Sequence, residues 1–342
     1  MLRGAIVGFG RAAASTHLPV WLRRQDLEIV AAADTRAEQR DVLRTHLPGA
    51  RWYDVPVDLM DRETLHFVDI CTPPASHPAL VQAALERGLH VLCEKPLVCS
   101  LDDLPSLTRL AVATGRVLHT VHNWHHAPII RQTRELVRQG AIGHVRHVVW
   151  DTLRTRPASG DGGNGDWRVD PTIAGGGVLT DHGWHAFYIV TGWIGQTPTA
   201  VNARLETRRH VQWPVEDTAT VRLTFPEATA EILLTWAADV RRNWAELTGD
   251  EGTLRLEDDI LIMRRPGRPP HEQRWRHRPP LSEGGYHPDW FERVADHFLA
   301  AINGAAPRAE NLAEASLCAM LESLARESSR QGQTVSLSVP IG

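Results

Sequence analysis

Along the first 120 residues, short apolar runs alternate with amphipathic stretches. Runs rich in β-branched and small apolar residues fall at 4–7, 29–33, 67–71, 90–93 and 117–121, with helical patterns at 13–24, 37–46, 78–87 and 101–114 between them. Strands that are apolar on both faces and separated by helices predict a parallel sheet covered on both sides. Beyond residue 122 the pattern changes. A helical stretch at 128–139 leads into a strand at 145–150, then a glycine-rich loop at 160–165, then a helix starting near Asp181. Strand candidates at 199–206, 218–225, 230–236, 246–247 and 252–256 follow without helices between them, which predicts an antiparallel sheet. Two helices close the chain, at 290–303 and 312–329, the second with Asn311 as its expected cap. The expectation is an α/β protein of two domains, 1–121 and 122–342, the second α+β and built on a large, mostly antiparallel open sheet.

Composition narrows the class. The 342 residues are 42% hydrophobic and 23% charged with a net charge of −4, which is neither a disordered chain nor a basic nucleic-acid binder. No run of about 18 apolar residues occurs, so neither a membrane span nor a signal peptide is expected. Cys71, Cys93, Cys99 and Cys318 form no C-x-x-C pair and read as reduced thiols of a cytoplasmic protein. Six arginines and five prolines crowd residues 264–280, which reads as a solvated, proline-stiffened loop rather than an anion site. Of the 37 basic residues only Lys95 is a lysine. Arginine replaces lysine wherever charge suffices, but not where a compact ammonium must approach one oxygen.

The first motif is Gly8-Phe9-Gly10-Arg11-Ala12-Ala13, directly after a strand and opening a helix. Gly8 allows the tight turn, Gly10 lets the backbone approach a pyrophosphate, and Ala13 permits close helix–strand packing, as in a Rossmann dinucleotide site. Free N–H groups and the helix dipole face the phosphates. Asp34 ends the second strand, placed to accept hydrogen bonds from a ribose diol and to repel a 2′-phosphate. That favours NAD, while Arg36 leaves NADP open. Thr72, Pro73 and His77 follow the fourth strand, Glu94 and Lys95 the fifth, all at the edge where doubly wound sheets bind ligands. Further on, Asp181 and His185 are four apart, which on a helix puts a carboxylate beside an imidazole. Trp167 and Arg168 follow the glycine-rich loop and are candidates to close over cofactor or substrate; Asn123 and His182 are candidates to line the substrate cleft. His119, His122, His125 and His126 cross a strand–helix junction and carry no nearby Cys or carboxylate in sequence, so no metal site is expected.

Together, GFGRAA, Asp34, TPPASH, GLHVLCEKPL, WRVDPTIAGGGVLTDHGWH and the closing TVSLSV resemble the Gfo/Idh/MocA oxidoreductase family. The resemblance implies an N-terminal Rossmann domain, a C-terminal domain on a large open sheet and a cis peptide at Lys95–Pro96. It also implies a Lys–Asp–His trio at Lys95, Asp181 and His185. Family members often carry an acid three residues after the histidine; here that position is Tyr188. The cofactor set expected is Gly8, Phe9, Gly10, Arg11, Ala12, Asp34, Thr72, Pro73, His77, Glu94, Lys95 and Arg168. The expected function is hydride transfer between NAD(P) and a sugar, cyclitol or polyol. The alternatives are an NAD-retaining glycosidase or lyase and a non-catalytic NAD-responsive protein. An apolar face on the open sheet is expected to drive a homodimer or homotetramer.

Overall fold

The computed structural model describes residues 1–158 and 167–337, so the glycine-rich loop at 160–165 lies outside the described residues. Strands β1 (Leu2–Val7), β2 (Leu27–Ala33), β3 (Arg51–Tyr53), β4 (Phe67–Ile70), β5 (His90–Cys93) and β6 (Leu118–Thr120) form one sheet in the order β3-β2-β1-β4-β5-β6. Every neighbouring pair is parallel. Alternate residues feed two cores. Val7, Ala33, Ile70 and Cys93 face one side, while Ile6, Ala32, Phe67 and Leu92 face the other. The short edge strand β3 and the helix Pro56–Arg62 were not expected from the pattern. Three residues give too little periodicity to read.

The second face is completed from far along the chain. Phe291, Val294, Ala295 and Phe298 of the helix Pro288–Ile302 join Ile6, Phe9, Trp21 and Phe67 in one buried cluster. A helix read as closing the second unit therefore covers the first. The other terminal helix, Ala309–Gln331, begins before Asn311. Asn311 does not cap it. The Asn311 amide instead clasps the end of β6, with Oδ1 accepting from the Thr120 N–H at 2.6 Å and Nδ2 donating to the Thr120 carbonyl at 3.0 Å.

The remaining strands are β7 (Val145–Leu153), β8 (Ala200–Glu206), β9 (Thr218–Thr224), β10 (Thr229–Thr235), β11 (Arg242–Gly249), β12 (Gly252–Glu257), β13 (Ile260–Arg264), β14 (Glu272–Arg276) and β15 (Val335–Ser336). They form a nine-stranded sheet in the order β14-β13-β12-β11-β7-β10-β9-β8-β15. Only β7 and β10 pair in parallel. The stretch 264–280 is thus not all loop, because Glu272–Arg276 pairs with β13 as an outer strand with alternate residues exposed. One face of the sheet packs its Val148, Trp150, Ala245 and Leu247 toward the helices Trp184–Ile194 and Ala309–Gln331. The other face is mixed rather than apolar. Arg204, Arg222 and Glu231 are exposed there beside half-buried Val149 and Leu233.

Candidate active site

The carboxyl ends of the parallel strands gather the expected cofactor residues. Gly8, just past β1, has φ +86°, and a Cβ there would stand 2.7 Å from the Thr72 backbone nitrogen, so only glycine fits the turn. Gly10 and Ala12 are half-buried and Arg11 exposed where the helix begins. Phe9 gives its ring to the core and its N–H to Asp34 Oδ2 at 2.8 Å. Asp34 is itself buried, and its Oδ1 accepts from the Arg36 N–H at 2.9 Å while the Arg36 guanidinium bonds both carboxylate oxygens at 3.2 Å. A ribose diol would have to displace that guanidinium.

Thr72 and Pro73 lie half-buried and exposed at the end of β4. His77 departs from the expected cofactor role. It is fully buried, with Nδ1 2.7 Å from the Pro96 carbonyl and Nε2 2.8 Å from the Thr72 carbonyl, so it braces one loop against the other and has no nitrogen left for a ligand. Glu94 is likewise engaged: Oε1 meets His17 Nε2 at 3.1 Å and Oε2 accepts the Lys95 N–H at 3.1 Å. His17, which no motif in the sequence marks, sits between Asp69 (2.9 Å) and Glu94. Burial alone would disfavour its charge, but Asp69 and Cys71 outweigh that and hold its pKa well above the ordinary value. His17, Asp69 and Cys71 are the one group among the described residues that brings three metal-ligating atoms together. Both nitrogens of His17 already face carboxylates, so the cluster reads as a buried ion pair.

The Lys95–Pro96 bond is cis, as the resemblance implied. Lys95 Nζ donates to the Asp181 carbonyl at 2.5 Å and lies 3.3 Å from Asp181 Oδ1. The helix carrying Asp181 does not start at that residue. A π-helical turn, Leu179–Gly183, runs directly into the helix Trp184–Ile194. Such turns are rare and concentrate at functional sites. The expected pairing of Asp181 with His185 is not made. Asp181 Oδ2 is 3.4 Å from His182 Nε2, and His185 Nδ1 instead meets Tyr188 Oη at 2.7 Å. Tyr188 Oη also accepts the Trp124 N–H at 3.2 Å, and the Trp124 ring stacks on His185 at 4.6 Å and 11°. The tyrosine at the departing position is therefore what orients the imidazole. His122 and His125 flank Tyr188 and share the carboxylate of Glu314, at 2.6 and 2.8 Å. That carboxylate comes from the last long helix, about which spacing within the histidine cluster carries no information. Asn123 is half-buried beside them.

Electrostatics separate the trio. Burial opposes charge on Asp181, but His182, Lys95, Arg168 and His185 together hold its carboxyl well below the usual range. Burial pushes His182 down to about 3. Burial, with Lys95 and His182 adding, places His185 well below its ordinary value, so its ring is neutral at neutral pH. Lys95 and Asp181 line a small cleft, of about 20 Å³, with Pro74, Trp167, Arg168 and Thr180. The Arg168 guanidinium lies over the Trp167 ring at 4.3 Å.

Residues 2–122 match the model of the oxidoreductase family with an NAD-binding Rossmann fold, and residues 130–255 match that of the GFO/IDH/MocA C-terminal domain. The chain is 32% identical over 188 residues to D-glucoside 3-dehydrogenase of Escherichia coli, covering 54% of this chain and 51% of that one, so it spans about half that relative's length. It is 30% identical over 262 residues to dTDP-3,4-didehydro-2,6-dideoxy-alpha-D-glucose 3-reductase of Streptomyces antibioticus, covering 75% of each. Its fold matches the crystal structure of an aldose-aldose oxidoreductase from Caulobacter crescentus with a TM-score of 0.83 at 23% identity, over 98% of this chain and 99% of that one. Two adjoining family models and a relative aligned over three quarters of its length settle the family. The chain belongs to the Gfo/Idh/MocA family of NAD-binding oxidoreductases.

Proposed function

We propose that this protein is an NAD(P)-dependent dehydrogenase or reductase acting on a hydroxyl or keto carbon of a sugar, cyclitol or sugar derivative. One observation carries the reading. Lys95 and Asp181, 86 residues apart, meet in a cleft at the carboxyl edge of the Rossmann sheet, with His185 one helical turn beyond. The named relatives act on sugars or sugar nucleotides. The residues fit a dinucleotide: Gly8 makes the tight left-handed turn, the helix that follows offers its first N–H groups, and Asp34 ends the second strand where a ribose would lie. Trp167 and Arg168 are placed to cover the nicotinamide end. Bound nicotinamide supplies the hydride donor or acceptor.

The chain's own part is proton transfer and charge stabilisation. Tyr188 Oη has two lone pairs and can accept both the Trp124 N–H and an Nδ1–H of His185. That tautomer leaves His185 Nε2 as the basic atom, which takes the proton from the reacting hydroxyl. Lys95 Nζ hydrogen-bonds the same oxygen and stabilises its alkoxide character, while Asp181 holds Lys95 and binds a neighbouring hydroxyl. His182 and Asn123 line the sugar side.

We divide the chain into a cofactor-binding unit, 1–121, and a substrate-binding unit, 122–342, with the helix Pro288–Ile302 packed back on the first. No helix of the described residues is long and apolar enough to cross a membrane. Four unpaired cysteines support a cytoplasmic site. The open sheet supports a homodimer or homotetramer through its mixed face.

The test is a panel of aldoses, inositols and nucleotide sugars assayed for NAD(P)H formation with product identification, alongside titration of NADH and NADPH. Turnover on at least one sugar and tighter binding of NADH are expected. Tight NAD that survives purification while sugars show no net turnover points instead to transient oxidation by a glycosidase or lyase. Preference for NADPH shows that Arg36 leaves Asp34 to meet the 2′-phosphate.

A further inference from the structure

The segment that carries Asp181 and His185 is held by a second polar network that takes no part in the proton transfer above, although Thr180, Gly176 and Gly177 also line the cleft. Thr180 precedes Asp181 and Trp184 precedes His185, and both are buried. Thr180 Oγ1 donates to Glu322 Oε1 at 2.5 Å, and the Trp184 indole N–H donates to Glu322 Oε2 at 2.7 Å. Each oxygen of one carboxylate thus holds one neighbour of a site residue. Arg326, one turn along the same helix, donates from Nη2 to Glu322 Oε1 at 3.0 Å and to Thr180 Oγ1 at 2.6 Å. It also pairs with Glu216 at 3.3 Å, whose Oε1 accepts the Gly177 N–H at 3.1 Å at the start of the segment. No slack remains: a Cβ on Gly176 would stand 1.9 Å from Arg326 Nη2, and one on Gly177 2.0 Å from the Glu216 carbonyl.

We propose that Glu322 is a positioning residue: its carboxylate, paired with Arg326, fixes Thr180 and Trp184 and so sets where Asp181 and His185 stand. Two physical points support it. Glu322 is buried and Arg326 half-buried, and replacing a largely buried ion pair with apolar side chains is often neutral or stabilising, so cohesion alone does not call for one here. The segment these contacts hold is a π-helical turn, Leu179–Gly183, a rare register that occurs mostly as single turns at functional sites. Catalysis is sensitive to that register, because a displacement of about 1 Å at a reacting group can cost on the order of 100-fold in rate.

The inference rests on the reading of Asp181 and His185 as site residues, and the experiment separates the two. Turnover on the sugar found above is measured per NADH-binding site for Glu322→Ala, Thr180→Val, the double variant and His185→Ala. Glu322→Ala should lower kcat at least about tenfold with the NADH Kd changed less than about threefold, as expected for lost positioning. Thr180→Val, nearly isosteric, should lose several-fold, and the double variant should be no worse than Glu322→Ala, since both break one network. A kcat for Glu322→Ala within about threefold of the parent overturns the proposal, as does a parallel fall in kcat and NADH affinity, which marks general loosening. Should Glu322→Ala fail to bind NADH at all, Thr180→Val decides, and an unchanged kcat there overturns it. If His185→Ala keeps its turnover, the acid–base reading falls instead. If that variant loses turnover while Glu322→Ala does not, only the present inference fails.

Discussion

Lys95 shows how far a single residue can be read. It is the one lysine beside 36 arginines, and the structure puts its ammonium against Asp181 in the cleft. A guanidinium is planar, larger and always protonated, so it cannot take the place of a compact donor beside one alkoxide oxygen. Lys95→Arg is expected to fold and bind NADH normally yet lose at least about 100-fold in kcat, the scale of one misplaced transition-state donor. Steady-state kinetics with a cofactor titration check it; an Arg variant of near-normal kcat would reduce Lys95 to a general positive charge. Lys95, Asp181, His185, Gly8 and Asp34 were legible because each is chemically conspicuous at a strand end or in a short local spacing. The partners that tune them were not. Tyr188 was visible only as a departure from the family pattern, and nothing local says that its hydroxyl would orient His185. Glu314 reaches the histidines from about 190 residues away, and His17 meets Glu94 across 77 residues. Side-chain hydrogen bonds across such separations leave no periodic trace in one sequence. His77 shows the reverse: a loop histidine at the cofactor edge read as a ligand, when two carbonyls in fact consume it.

At the scale of elements, the buried strands and long amphipathic helices were legible because their periodicity is strong. Those that escaped are mostly short or exposed: β3, β15, the helix at Pro56 and β14; β13, buried but only five residues long, escaped as well. The pairing of β14 depends on the strand beside it, with Trp275 opposite Leu261, more than on its own pattern. Turns proved more informative than strands, since sterics dictate them. At Gly8 the backbone is left-handed at φ +86°, and beside the Thr72 methyl the near neighbours are backbone atoms of Cys71 and Thr72, which cannot move aside as a side-chain tip could. Gly8→Ala combines a left-handed conformation costing roughly 1–2 kcal/mol for an L-residue with a steric clash against the backbone just after β4. It is expected to lower Tm by several degrees and to weaken NADH binding at least tenfold, because the phosphate-facing turn must open. Differential scanning fluorimetry with and without NADH measures both; an unchanged NADH-induced shift would show that this turn does not carry the pyrophosphate.

For the whole molecule, the distribution of histidine matters more than net charge. Burial is the largest cause of low pKa at His90 (about 4), His119 (about 3) and His182 (about 3), and it also lowers His77 and His185. His90 and His119 are buried in the packed interior, while His182 and His185 are held neutral at the cleft. An unfolded chain protonates such rings near pH 6.5, whereas the folded one resists until well below that. Between about pH 6.5 and 4 the unfolded state therefore binds more protons, and stability must fall as pH falls. His17 does not offset this slope: its raised value means that it is charged in both states below 6.5, and its contribution is lost only as pH rises through its folded value. Carboxylates with lowered values, such as Glu314, begin to act only as pH approaches the ordinary carboxylate range near 4, so the loss above pH 5 belongs to histidine. Each neutral ring contributes at most about 1.4 kcal/mol per pH unit. Two or three therefore suffice to remove a large share of a stability of roughly 5–15 kcal/mol. The urea midpoint is expected to rise modestly from pH 8 to 7, as His17 becomes charged in the folded state, and to drop steeply from 6.5 to 5, with unfolding free energy reduced by at least about 2 kcal/mol. His119→Asn, which removes one such ring from β6 where it packs near Phe298, should make that drop shallower even if it lowers stability at pH 7.5. A midpoint that stays level down to pH 5 would mean that these histidines are already charged or solvated, and that the neutral, buried imidazole assigned to His185 is wrong along with them.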